Sequence, residues 1–371
     1  MPVPFFDLSR QHEPLQDAFQ ATCARVLESN RFVLGPDVQA FEEEVAGYLD
    51  CHHAIGLSSG TDALLVAMMA LGIGPGDEVL VPSFTFFGTA GSVVRTGATP
   101  VWVDVREDTF NIDLADAEAK LSPRCRAIVP VHLFGQPADM ECVMALAGQN
   151  DLCVLEDVAQ GIGATYQGTR AGTFGEFGAL SFYPTKNLGG FGDGGMLVTD
   201  DAALAETAVR LRNHGMYPKY VHPLLGGNFR LDSLQAALLR DKLPFLDHYH
   251  AGRRAHAEAY LSELVGVDGI VLPTVSRDAD SVWNQFTIRV RDGRREDLGA
   301  FLRERGIGTE IYYPYSLHEQ ECFAGIGRGG ESLPNAPRIA REVLSLPCFP
   351  ELREEERQEV VKAVRSFFKQ A

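Results

Sequence analysis

Two stretches of the chain hold residue types that can do chemistry together: Glu156-Asp-Val-Ala-Gln160 and Ser181-Phe-Tyr-Pro-Thr-Lys186-Asn-Leu-Gly-Gly-Phe-Gly-Asp-Gly-Gly195. A lysine whose amine loses its proton near neutral pH can condense with a pyridine aldehyde, and Lys186 is the candidate. The ring of such a cofactor withdraws electrons only while its nitrogen is protonated, a state that a carboxylate at the C-terminal end of a buried strand can hold. Asp157 follows a strand-like run over 152–156 and suits that task. Singly, each has a plainer reading: a lysine after Pro-Thr is ordinarily a solvated loop residue, and an acid at a strand end is often a cap. The glycine-rich run behind Lys186 lets backbone approach a ligand closely, which favours the joint reading.

A phosphate seat is expected in Ser58-Ser-Gly-Thr-Asp62, between a strand and a helix, where backbone N–H groups and hydroxyls meet the positive helix end. Gly60 and Thr61 are the candidates, against the plainer reading of a simple N-cap. Phe84-Thr-Phe86 supplies aromatics at the same sheet edge to cover a flat ring, although core packing would explain either one alone.

Rival motifs overlap these residues. Gly56-Leu-Ser58-Ser-Gly60 fits G-x-S-x-G, so a serine hydrolase using Ser58 is a reading from another class, with His132, His214 and His318 in the inventory. It leaves the Asp157 and Lys186 region unexplained. Gly190-Phe-Gly192-Asp-Gly-Gly195 fits a dinucleotide fingerprint, but a strand-like Met196-Leu-Val-Thr follows where that motif needs a helix. Cys51-His-His53 and His248-Tyr-His250 lack the spacing of a zinc site, so no metal is expected. A non-catalytic regulator is the remaining class, and the presence of Lys186 argues against it.

The elements that must position these residues are an α/β set. Strands are expected at His53–Leu57, 78–81, 100–103, 127–132, 152–156, 179–183 and 196–199, with helices at 62–71, Phe87–Arg95, 113–120, 139–147 and Ala202–Arg212. A helical run over 231–243 should end or kink at Pro244 before a second helix reaching about 260. A strand at 285–290 and a helix at 354–368 follow. The chain divides into an N-terminal helix or arm, 1–30 (amphipathic over 14–27), a large α/β domain, 31–245, with a mostly parallel seven-stranded sheet, and a smaller α+β domain, 246–371.

With hydrophobic residues at 45% and charged ones at 22%, the composition is that of a folded globular protein. The net charge of −17 disfavours nucleic acid and anionic membrane as partners, because both need a basic face. The seven cysteines are scattered without a C-x-x-C pair, and no run approaches a membrane helix, so a cytoplasmic location is expected.

Further motifs run almost end to end: Phe5-Phe-Asp-Leu, Leu34-Gly-Pro, Ser59-Gly-Thr-Asp-Ala-Leu, Gly74-Pro-Gly-Asp-Glu-Val, Pro82-Ser-Phe-Thr-Phe, Asn228-Phe-Arg-Leu-Asp-Ser-Leu-Gln-Ala-Ala and Tyr313-Pro. With the two stretches above, they make the chain resemble the DegT/DnrJ/StrS sugar aminotransferases, pyridoxal 5'-phosphate (PLP) enzymes of fold type I. The resemblance implies that Lys186 binds the cofactor covalently and shuttles protons, and that Asp157 pairs with the pyridine nitrogen. It further implies that Gln160 bonds the phenolic oxygen, Phe86 stacks on the ring, and Gly60, Thr61 and Ser181 hold the phosphate. Asn228 would reach the cofactor phosphate of a neighbouring subunit, which implies a homodimer with shared active sites.

Related dehydratases carry histidine at the lysine position, so Lys186 points to the transaminase branch, with glutamate as amino donor and a nucleotide-linked keto sugar as acceptor. A 3-keto hexose is expected, of the UDP-3-keto-GlcNAc type or its uronic acid, for amino-sugar or surface polysaccharide (lipopolysaccharide) biosynthesis; a C4-keto deoxysugar is the alternative. Sugar contacts are expected from Arg230, Tyr312, Tyr313 and His318. Tyr312 departs from relatives with histidine before Tyr-Pro, which implies a difference in sugar recognition.

Overall fold

The computed structural model describes residues 2–369. Its strands are β1 His53–Leu57, β2 Glu78–Pro82, β3 Thr99–Val103, β4 Cys125–Ile128, β5 Cys153–Asp157, β6 Thr165–Tyr166, β7 Thr169–Arg170, β8 Phe177–Ser181, β9 Gly195–Thr199, β10 Ile270–Val271, β11 Ala279–Asp280, β12 Phe286–Val290 and β13 Val343–Leu346. A seven-stranded sheet runs β1-β9-β8-β5-β4-β2-β3. Only β9 is antiparallel to its neighbours, so the C-terminal ends of the other six share one edge with the start of β9. Ligands of open α/β sheets sit outside that edge.

The helices follow from apolar spacing and caps. They are α1 Leu8–His12, α2 Gln16–Ser29, α3 Pro36–Leu49, α4 Gly60–Ala70, α5 Phe87–Arg95, α6 Leu114–Ala119, α7 Met140–Asn150, α8 Ala202–Arg212, α9 Ser233–Lys242, α10 Leu246–Leu264, α11 Arg295–Glu304, α12 Ala336–Glu342 and α13 Glu354–Lys369. α4 begins where the Ser59 side chain accepts from the Asp62 N–H at 3.0 Å, and its Leu64, Val66, Ala67 and Met68 are buried in the core over one sheet face. α3 and α9 cover the other face near β9, where Val38, Phe41, Val45 and Leu49 pack with Leu239. A separate core surrounds the β10-β12-β13 sheet and draws on α10, α11 and α13. The chain's start bridges both regions, since Val3 lies in that second core while Leu15 and Phe19 pack on Leu238 of α9.

Three expectations are corrected. The fourth strand covers Cys125–Ile128 rather than 127–132, because Pro130 has no N–H for the ladder and Val131 keeps only an isolated bridge to Asp157. The first long helix starts at Gln16, after a 3-10 turn, Glu13–Leu15, that takes up Pro14. Helix α3 was not anticipated, although Val38, Phe41, Val45 and Leu49 have helical spacing behind Gly35-Pro36. Pro244 does kink the chain, in the 3-10 turn Leu243–Phe245 between α9 and α10. The glycine run before Met196 opens strand β9, which removes the dinucleotide reading. Among the described residues no helix is long and apolar enough to cross a membrane, and all seven cysteines are free.

Candidate active site

At the shared sheet edge the loops after β1, β2, β5 and β8 converge on a cavity of about 540 Å³. Asp157 and Gln160 enter it from the end of β5, Ser181 and Lys186 from the end of β8, Gly60 and Thr61 from the start of α4, and Phe86 from the start of α5. Asn284, Gln285, Tyr312 and Tyr313 close it from the C-terminal part of the chain.

Lys186 sits in a tight turn, with its N–H donating to the Tyr183 carbonyl at 2.8 Å and Gly190 N–H donating to Phe182 at 2.8 Å. Gly189 is required there, because a Cβ would stand 2.1 Å from the Pro184 carbonyl oxygen. The next side chain, Asn187, donates to the Val282 carbonyl at 3.1 Å and accepts from Asn284 at 2.7 Å. Burial pulls the Lys186 amine down to about 8, with the Asp157 charge opposing. An appreciable share of neutral, nucleophilic amine therefore exists near neutral pH.

Asp157 is 5% exposed, and burial pushes its carboxyl up. The Thr89 hydroxyl donates to Oδ2 at 2.8 Å and the Ala159 N–H to Oδ1 at 3.1 Å, and both donors favour the ionised form. Glu156, on the opposite face of β5, accepts from the N–H groups of Gly172, Phe174 and Gly175 and from His132 Nε2 at 2.9 Å. His132 Nδ1 accepts from the Ala138 N–H, so Nε2 carries the ring proton. This buried brace fixes the strand end that aims Asp157.

Gln160 is oriented by its neighbours. Its Oε1 accepts from the Phe134 N–H at 2.6 Å, which leaves Nε2 as the donor beside the Tyr313 hydroxyl at 3.2 Å. Gly60 packs so closely that a Cβ would lie 2.7 Å from Ser181 Cβ, and the α4 N–H groups open there beside the Thr61 and Ser181 hydroxyls. Phe84 is core at 1% exposure, whereas Phe86 remains 54% exposed over the cavity, so packing accounts for the first and not the second.

The DegT/DnrJ/EryC1/StrS aminotransferase family pattern matches residues 14–365. The chain belongs to that family. Among relatives, the dTDP-3-amino-3,4,6-trideoxy-alpha-D-glucose transaminase of Streptomyces venezuelae is 47% identical over 98% of this chain and 96% of its own. The UDP-N-acetyl-3-dehydro-alpha-D-glucosamine 3-aminotransferase of Acidithiobacillus ferrooxidans is 46% identical over 98% and 97%. A Geobacillus stearothermophilus relative named pleiotropic regulatory protein is 48% identical over 100% and 99%. The crystal structure of S. venezuelae DesV superposes with a TM-score of 0.97 at 46% identity over 100% and 99% of the two chains. That of Bacillus subtilis NtdA, with bound cofactor PMP, gives 0.92 at 33% identity over 100% and 86%.

This aminotransferase uses pyridoxal phosphate, and its cavity fits the group. A buried carboxylate with no ion-pair partner among the described residues suits a cationic ring nitrogen, an amine drawn down to about 8 suits the aldehyde, and a helix start cleared by Gly60 suits a phosphate. That constellation is catalytic in kind, which separates the aminotransferase from a purely regulatory reading.

Four sequence candidates lie elsewhere. Arg230 donates to Asn213 Oδ1 at 2.8 Å, and Asn228 bridges Asn213, both outside the cavity. His318 is held through Nδ1 to the Ser83 hydroxyl at 2.7 Å, outside the cavity lining. Ser58 donates to Asp62 at 2.7 Å and, among the described residues, has no hydrogen bond to the histidine that a serine nucleophile would require. Sequence reasoning missed Thr89, which looks like an ordinary helix residue, and Tyr183, Asp193, Asn284 and Gln285, which line the cavity. Tyr183 and Asp193 flank Lys186 within the motif and could have been found there.

Proposed function

We propose that this aminotransferase moves the amino group of glutamate to the C3 ketone of a nucleotide-linked hexose, a UDP-linked 3-keto N-acetylhexosamine or its uronic acid, for surface-polysaccharide or amino-sugar biosynthesis. The observation that carries the reading is the single cavity that presents both Lys186 and Asp157. Support for C3 is that the S. venezuelae and A. ferrooxidans relatives are both named for carbon 3 while differing in nucleotide; the latter supports UDP.

Bound pyridoxal phosphate supplies an aldehyde that takes up the amine and a protonated ring that accepts the electron pair left when a proton departs from carbon. Asp157 holds the ring-nitrogen proton, its ionised form kept by the Thr89 and Ala159 donors. Lys186 Nζ would hold the aldehyde carbon and, as the proton carrier of the site, would take the proton from one carbon and return it to another. Gln160 Nε2 would donate to the phenolic oxygen, and Phe86 would cover the ring. Gly60, Thr61 and Ser181 hold the phosphate at the start of α4. Tyr312 and Tyr313 offer hydroxyls to the sugar. In a homodimer, Asn228 of the partner subunit completes the phosphate site, consistent with its position outside its own cavity.

The test runs the reaction backwards, with 2-oxoglutarate and a panel of nucleotide amino sugars, and reads glutamate formation. UDP-linked 3-amino sugars should turn over fastest. Faster turnover of 4-amino isomers, or none with any nucleotide sugar, would contradict the assignment.

A further inference from the structure

A second buried lysine lies outside the cavity, and the proposed reaction has no use for it. Lys242 ends α9 at 0% exposure and donates from Nζ to the Gly189 carbonyl at 2.6 Å. Its other polar neighbour is His12 Nε2 at 3.4 Å. Burial and the Lys242 charge pull His12 down to about 4, so His12 is neutral at pH 7 and accepts. Burial pulls Lys242 itself down to about 8, with the charge of Glu351 opposing and no carboxylate in contact among the described residues. An ammonium buried in this way is costly, and an apolar residue would ordinarily fill such a place. What the lysine adds is a charge-assisted bond to the turn three residues past Lys186.

That turn is fixed from outside along its whole length. The Phe191 N–H donates to Gln235 of α9 at 2.8 Å. Its ring is stacked by His12 at 4.7 Å and met edge-on by Phe19 of α2 at 4.9 Å. On the near flank, Asn187 is tied to Val282 and Asn284. The Lys186 amine reaches the cavity from a turn whose carbonyl at 189 answers to Lys242.

We propose that Lys242 is a positioning residue: through the Gly189 carbonyl it fixes the 186–190 turn, and with it the place of the Lys186 amine relative to Asp157. This rests on the role of Lys186 given above. The titratable groups lining the Lys186 cavity are Asp157, Asp193, Tyr183, Tyr312 and Tyr313, and those acting on Lys242 are His12 and Glu351.

The test uses the full-length, cofactor-loaded protein with Lys242→Met and Lys242→Gln, the second polar but too short to reach the Gly189 carbonyl. Three quantities are read: the pH midpoint of the absorbance band of the lysine-bound cofactor, the dissociation constant of pyridoxal phosphate, and Tm. A loosened turn admits water to the nitrogen that joins Lys186 to the cofactor and favours its protonated form, so the midpoint should rise by about half a unit or more and cofactor should bind roughly threefold or more weakly. A folded variant with a lowered Tm but the wild-type midpoint and affinity overturns the proposal. So does failure of both variants to fold, since Lys242 would then hold the fold and not the turn. A wild-type protein without the band overturns the reading of Lys186 and this inference with it.

Discussion

The Lys186 amine and the Asp157 carboxylate line one cavity, and the charge of each opposes the shift that burial imposes on the other. They come from the ends of neighbouring strands β8 and β5, so the sheet itself sets their separation. A flat ring with a reactive carbon on one side and a basic nitrogen on the other can engage both, which gives the cavity its chemistry.

Replacing Asp157 by asparagine keeps the shape and removes the charge. Turnover at saturating substrate and cofactor should fall on the order of 10³-fold while cofactor affinity changes less, because the electron sink is lost and the anchor is kept. Steady-state kinetics of the loaded variant decide it, and an unchanged kcat would refute the pairing.

Thr89→Val removes the hydroxyl that donates to Asp157 Oδ2 at 2.8 Å. That bond lowers the carboxyl pKa against a burial that raises it, so its loss moves the pKa further up. The acid limb of the kcat profile should shift to higher pH by about one unit, equivalent to a hydrogen bond of ~1.4 kcal/mol, and Thr89→Ser should restore it.

Stability of the cofactor-free protein should betray the strain at Lys186. Its amine stands at about 8 when folded against an ordinary 10.5, so below pH 8 the folded chain carries the full cost of a buried charge. Between those values the unfolded chain binds the extra proton, and stability rises with pH. Lys186→Met is expected to be more stable than the wild type by about 2 kcal/mol at pH 7, with the difference fading towards pH 10.5. Urea denaturation at pH 7 and pH 10 measures it; a constant difference would contradict the burial argument.

At the phosphate seat, Gly60→Ala places a methyl 2.7 Å from Ser181 Cβ. The helix start must back away, so pyridoxal phosphate should bind about tenfold or more weakly while the fold loses about 1–3 kcal/mol. Absorbance titration against inorganic phosphate as competitor reads the seat directly. Unaltered competition would place the phosphate elsewhere.

Much of the sheet was legible because each strand is a short apolar run punctuated by glycine, proline or acid, as in His53–Leu57 and Glu78–Pro82, whereas the run expected at 179–183 forms its strand at Phe177–Ser181. Pro130 misled the fourth strand, since an apolar run continues past the point where the ladder loses its donor. Lys186, Asp157, Gly60 and Phe86 could be anticipated because local motif and strand end coincide. Asn284 and Gln285 could not, because they reach the cavity from a loop about a hundred residues beyond Lys186 through long-range packing that no local period encodes. The position of His318 was likewise not legible: near the Tyr-Pro motif in sequence, it bonds the Ser83 hydroxyl outside the cavity lining.

The most direct measurement is to load the protein with pyridoxal phosphate, reduce it with borohydride so that the lysine–cofactor bond becomes a stable secondary amine, and locate the added mass by peptide mapping. The mass should fall on the peptide containing Lys186, in the wild type and in Asp157→Asn alike, and vanish in Lys186→Ala. Mass on any other lysine, or none on a protein that still transfers amino groups, contradicts the account.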